Sequence, residues 1–127
     1  MKHPERVEDY LEHIAEAIHW ATDYIDRLEG IAAFKQSRRD QDAVIRNIEI
    51  VGEAASRIQL QAPDFPKAHP ELPWVEMRGM RNKMIHNYFD VQVEIVWNTV
   101  KNDFPKLLQQ IDSLLNDYKY GSEREKD

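Results

Sequence analysis

The chain has 127 residues, 42% of them hydrophobic and 31% charged, with a formal net charge of −6 and no cysteine. That length suits one domain around one core, and the composition is that of a globular protein rather than a disordered or fibrous one. It excludes disulfides, thiol nucleophiles and cysteine-ligated metal centres, and it leaves nucleic-acid binding only to a local basic patch. No run approaches the roughly 18 apolar residues of a membrane span, and the opening Met1-Lys2-His3-Pro4-Glu5-Arg6 lacks a secretory core, so a cytoplasmic protein is expected.

From Val7 the apolar positions fall at Leu11, Ile14, Ile18, Ala21, Ile25 and Leu28, alternating four- and three-residue steps. This spacing predicts a helix with one buried seam, widened by Tyr10, Ala17 and Tyr24 to what a bundle needs, with Gly30 as its stop. A polar stretch from Gln36 to Asp42 follows, and the rhythm returns at Val44, Ile48, Val51, Ala55, Ile58 and Ala62 as a second helix, across which Gly52 implies a close neighbour.

Pro63, Pro66, Pro70 and Pro73 predict a stiff surface connection. Trp74, Met77, Arg81, Met84 and Tyr88 then resume the helical spacing on a third helix ending near residues 87–90. The last element runs through Val93, Val96 or Trp97, Val100, Phe104, Leu107, Ile111, Leu114 and Tyr118 in register across Pro105, which predicts a kink, or two nearly coaxial helices with Asp103 capping the second. The expectation is an all-α, up-and-down bundle of four to five helices over residues 1–120, the last kinked or split at Pro105, with a frayed tail over 121–127.

Glu16 and His19 form a Glu-x-x-His pair, but the second such pair of a di-iron bundle is missing, so no metal or other cofactor is expected. There is no glycine-rich phosphate loop and no serine elbow. Trp20, Trp74, Trp97, Met77, Met80 and Met84 read as core. The basic runs Arg78, Arg81, Lys83 and Lys35, Arg38, Arg39, Arg46 read first as solvated helix faces.

The remaining signal runs from Arg78 to Phe89. Arg81 stands where the seam demands an apolar residue, and a guanidinium cannot shed its charge, so it needs a carboxylate, carbonyls or an anionic ligand. On an ideal helix Arg81 and Tyr88 lie within roughly 20° of each other and His86 about 140° from Arg81. Either the helix ends and turns His86 back, or two copies of the segment meet across a two-fold axis, the favoured reading. Such a cleft suits RNA transesterification without a metal: histidine moves the proton, arginine offsets the phosphoryl charge, and Asn82 and Asn87 orient either. The structural alternative pairs Arg81 with Glu49 or Glu53 and lets His86 merely end a helix.

Arg81, four residues, His86, one residue and Tyr88 resemble the signature of the HepT-like branch of the HEPN-domain proteins. Arg46 to Ala55 resembles that branch's second-helix segment, and Val96-Trp97 with Asp103-Phe104-Pro105 its final helices. The family often carries aspartate where this chain has Asn87.

The resemblance implies a homodimeric, metal-independent endoribonuclease toxin of a toxin–antitoxin pair acting on RNA. Arg81 and His86 would be catalytic with Asn82 as helper, and Arg78, Lys83, Asn87 and Arg46 would contact RNA. The implied antitoxin is a minimal nucleotidyltransferase that inactivates the toxin by transferring AMP to Tyr88. A different class of function, a non-catalytic module that binds a nucleotidyltransferase or a nucleic acid, is compatible with the same residues.

Overall fold

The computed structural model describes residues 6–86 and 92–126, and of residues 81–86 and 120–126 the backbone alone. The described residues form an all-α, up-and-down bundle: α1 (Val7–Asp26), α2 (Ile31–Lys35), α3 (Arg38–Gln61), α4 (Asp64–Ala68), α5 (Trp74–His86), α6 (Val93–Asn98), a π-helical turn (Thr99–Asp103) and α7 (Phe104–Lys126). α1 packs on α3 and α7, and α3 packs in turn on α5.

The seam of α1 is buried as the spacing requires, through Leu11, Ile14, Ile18, Ala21 and Ile25. The helix starts with the Arg6 amide donating to Asp9 Oδ2 at 2.9 Å. Its last turn closes at Arg27, whose amide donates to the Asp23 carbonyl. Gly30 then takes φ 137° and ψ −180°, a conformation essentially restricted to glycine, and launches α2.

Two short helices depart from the expectation drawn from sequence. Residues 31–35 form α2, which seats Phe34 in the core, and the polar stretch from Gln36 to Asp42, after which the sequence rhythm places the second helix, already contains the first turn of α3. Ser37 is the cap: its Oγ accepts from the Asp40 amide at 3.3 Å and donates to Asp40 Oδ2 at 2.6 Å. Gln41 Nε2 donates back to the Phe34 and Lys35 carbonyls, so polar side chains satisfy the end of one helix from the start of the next.

The proline-rich connection is likewise not a bare surface strap. Pro66 lies buried in the first turn of α4, where its missing amide leaves no helical bond unmade. Phe65 meets His69, Trp74 and Tyr118, with ring centroids 4.4, 6.0 and 6.3 Å away, and Leu72 is buried. Trp74 Nε1 donates to the His69 carbonyl at 2.8 Å, and Gln110 Nε2 of α7 donates to the Glu71 carbonyl at 2.8 Å. This segment therefore fixes where α5 begins.

The final helix is joined rather than capped. Phe104 keeps helical angles (φ −65°, ψ −36°) and its amide donates to Thr99 O, five residues back. One widened turn thus precedes Pro105, whose ring cannot sit in an unmodified α-turn without crowding a carbonyl. Asp103 stays within the helical path, and Val100 and Phe104 remain buried on either side of the change in phase.

Gly30 has open space around a would-be Cβ, so its backbone alone restricts the position. Gly30→Ala is expected to destabilise the fold by about 1–3 kcal/mol in urea denaturation with an unchanged slope.

Candidate functional site

α5 is held along the face that Trp74 and Met77 bury, and Met80 packs partly against the same core. Position 81 lies one turn beyond Met77, so the described backbone puts Arg81 in register with that buried stripe, and the helix continues through His86. The side chains of Arg81, Asn82, Lys83 and His86 lie outside the described residues, as do Asn87 and Tyr88 altogether.

Of the eight residues singled out by sequence, Arg78 and Arg46 are the two whose side chains are described. Arg78 is half-buried, with Nε donating to the Trp74 carbonyl at 3.3 Å. Arg46 is exposed on α3, 3.8 Å from Glu49. The structural alternative for Arg81 named Glu49 and Glu53; Arg46 stands 3.8 Å from Glu49 and Arg57 3.1 Å from Glu53, and the Arg81 guanidinium that would meet either lies outside the described residues.

The other basic run is a solvated face with partners. Lys35 meets Glu94 at 2.6 Å and Arg38 meets Asp42 at 3.8 Å. The hydrogen bond from Lys35, helped by a backbone bond and the ammonium charge, holds the Glu94 carboxyl below the usual carboxylate range. This tie between α2 and the start of α6 is therefore present at neutral pH and is lost as pH falls through the lowered value.

A groove of about 410 Å³ runs between the start of α5 and the start of α7, lined by Glu71, Glu76, Met80, Asp103 and Lys106 among others. Its described lining carries three carboxylates, Glu71, Glu76 and Asp103, and one lysine, Lys106. Among the described residues no group of three or more histidines and carboxylates is placed to hold a metal ion, and Glu16 and His19 are both exposed on α1. No helix among them is long and apolar enough to cross a membrane.

One residue assigned to the core by sequence is not there. Trp20 is 49% exposed, while Trp74 is buried and Trp97 packs against Phe34 with centroids 5.5 Å apart. Position 20 lies off the seam set by Ile14, Ile18 and Ala21, so helical phase outweighs the apolar character of the indole.

The ribonuclease HepT-like family model matches residues 8–114, which takes in every element from α1 into α7 and the whole Arg81 to Tyr88 motif. The chain belongs to the ribonuclease HepT-like family. A relative in Thermococcus cleftensis, named a probable ribonuclease HepT, is 44% identical over 84% of this chain and 93% of its own. A candidate RNase of Caldanaerobacter subterraneus subsp. tengcongensis is 36% identical over 84% of this chain and 91% of its own. One from Methanocaldococcus jannaschii is 32% identical over 86% and 84%. No solved structure matches with significance.

Proposed function

We propose that this HepT-like chain is a metal-independent endoribonuclease toxin whose site is built from Arg81 and His86. The observation that carries the reading is the Arg-x4-His-x-Tyr motif, lying inside the family match and starting on α5 in register with a buried stripe. An arginine is retained where packing alone asks for an apolar residue, and polar residues that break a local rule mark functional positions.

The chemistry suits these side chains. The ribose 2′-hydroxyl attacks the adjacent phosphorus, the bond to the 5′-oxygen breaks, and a 2′,3′-cyclic phosphate and a 5′-hydroxyl result. Imidazole as a class exchanges protons near neutral pH, and His86 takes the 2′-hydroxyl proton or delivers one to the leaving oxygen. Arg81 offsets the charge that builds on the phosphoryl oxygens, and Asn82 orients one of the two. Because one straight helix aims residues 81 and 86 about 140° apart, the reading includes a homodimer in which two copies of the segment face one groove. Arg78, Lys83, Asn87 and Arg46 supply RNA contacts beside it.

Regulation is proposed at Tyr88. A nucleotidyltransferase antitoxin would join its phenolic oxygen to the α-phosphorus of ATP, with pyrophosphate leaving and the phenolic proton passing to solvent or a base. The added phosphate beside Arg81 would repel RNA.

His86→Ala is expected to slow RNA cleavage by about 10²–10⁴-fold and Arg81→Ala by about 10²–10³-fold, with helical circular dichroism and dimeric mass unchanged. Full cleavage by both variants removes the proposal, and a wild-type protein that binds RNA without cutting it favours the interaction-module reading. Incubation with a cognate nucleotidyltransferase and ATP is expected to add AMP units seen by mass spectrometry, with none on Tyr88→Phe; equal modification of that variant refutes the assignment.

A further inference from the structure

The charge of this molecule is segregated to a degree that its total conceals. α1 carries six carboxylates, Glu8, Asp9, Glu12, Glu16, Asp23 and Asp26, and no lysine or arginine; the other 107 residues carry seventeen of each sign. The entire formal charge of −6 thus belongs to one helix. On that helix Glu12 and Glu16 are exposed and have no ion pair among the described residues, whereas Asp23 is bonded to Arg27 and Asp26 to Lys101.

Beside those free carboxylates lies a groove of about 570 Å³ between α1 and α3, bounded by His13, Glu16, Trp20, Tyr24, Asn47 and Ile50. Trp20 is the large aromatic that the bundle leaves half uncovered, and its ring lies 6.3 Å from that of Tyr24 with 37° between their planes. Asn47 spends its amide donor on the Ala43 carbonyl at 2.9 Å, which leaves its oxygen as an acceptor. Two aromatic faces, a free carboxylate and an amide oxygen, with no lysine or arginine among the described lining residues, form a seat for a cation.

We propose that this groove is a docking site for a basic segment of a partner protein, an arginine or lysine side chain lying against Trp20 and Tyr24 with its N–H groups toward Glu16 and Asn47. Charge selects the occupant. An RNA phosphate would approach the exposed carboxylates of Glu12 and Glu16 with no lysine or arginine of α1 to meet it. A second copy bound isologously here would set one acidic α1 against another, which like-charge repulsion disfavours. A cationic segment gains from both the π-faces and the field of the helix. Among the described residues the groove is lined from α1 and α3, and none of its lining side chains belongs to the residues proposed for catalysis.

The test uses the full-length protein and an acetylated tetra-arginine amide as probe, followed by calorimetry and indole fluorescence. The peptide is expected to bind saturably at one site, with Trp20→Ala weakening it by about tenfold although no charge is altered, Trp20→Phe restoring most of the loss, and Glu16→Gln weakening it by about threefold. RNA cleavage by Trp20→Ala is expected to equal that of wild type. Unweakened binding by Trp20→Ala overturns the proposal in favour of diffuse attraction, as does the absence of saturable binding. Loss of oligouridylate binding on Trp20→Ala would make the groove an RNA site, and conversion of a dimer to a monomer would make it a self-association surface; either result also overturns it.

Discussion

One helix has to satisfy two neighbours at once, and the rest of the architecture follows from that requirement. α3 packs on α1 and on α5, and it does so with a surface of small and β-branched side chains, Val44, Ile48, Val51, Gly52, Ala54, Ala55 and Ile58, all buried. Short side chains let helix axes approach, and burying an aliphatic residue of this size contributes about 1.5–3 kcal/mol. Among the described side chains, α5, the helix that bears the motif, is placed by apolar contacts. Its start is set by Trp74 and the proline segment, and its face by Met77. Support of this kind, apolar and carried by helices, is what holds a site's backbone in place.

The acidic helix shows how such a charge is tolerated locally. Glu8 and Asp9 stand in the first turn of α1, where the helix dipole favours carboxylates. Asp23 and Asp26 stand in the last turns, where the dipole disfavours them, and there each meets a cation from outside the helix: Arg27 at 2.7 Å and Lys101 of the π-helical turn at 3.4 Å. The compensation stops at the ends. The middle of the outer face keeps unpaired carboxylates beside an exposed indole, an arrangement that packing does not require. Among the described residues α3 packs on both α1 and α5, so the acidic helix and the motif-bearing helix share α3 as a scaffold.

The long helices were legible because each presents several turns of alternating three- and four-residue steps, and Leu11 to Ile25, Val44 to Ile58 and Phe104 to Leu114 are buried where that rhythm puts them. α2 and α4 were not legible, since five residues span little more than one turn and give no period to detect. The start of α3 was missed because Arg38 to Asp42 is polar on every side, and the signal that could have found it was the cap at Ser37 with Asp40 three residues on. At Pro105 the lost hydrogen bond was foreseeable, but the choice between a break and a widened turn depends on tertiary packing of Val100 and Phe104. Trp20 was misread because residue type was weighed above phase. The motif itself was legible as residue types at a spacing; where its imidazole and guanidinium groups point is a matter of side chains outside the described residues.

The central claim is that a histidine and an arginine, without a metal, turn the RNA's own 2′-hydroxyl on its phosphodiester. End-group analysis of RNA cut in excess EDTA tests it most directly. Undiminished cleavage with 2′,3′-cyclic phosphate and 5′-hydroxyl ends is expected, together with no cleavage of a substrate carrying a 2′-deoxyribose at the scissile position. Products ending in 3′-hydroxyl and 5′-phosphate, or cleavage that stops when EDTA is added and returns with a divalent cation, would contradict it.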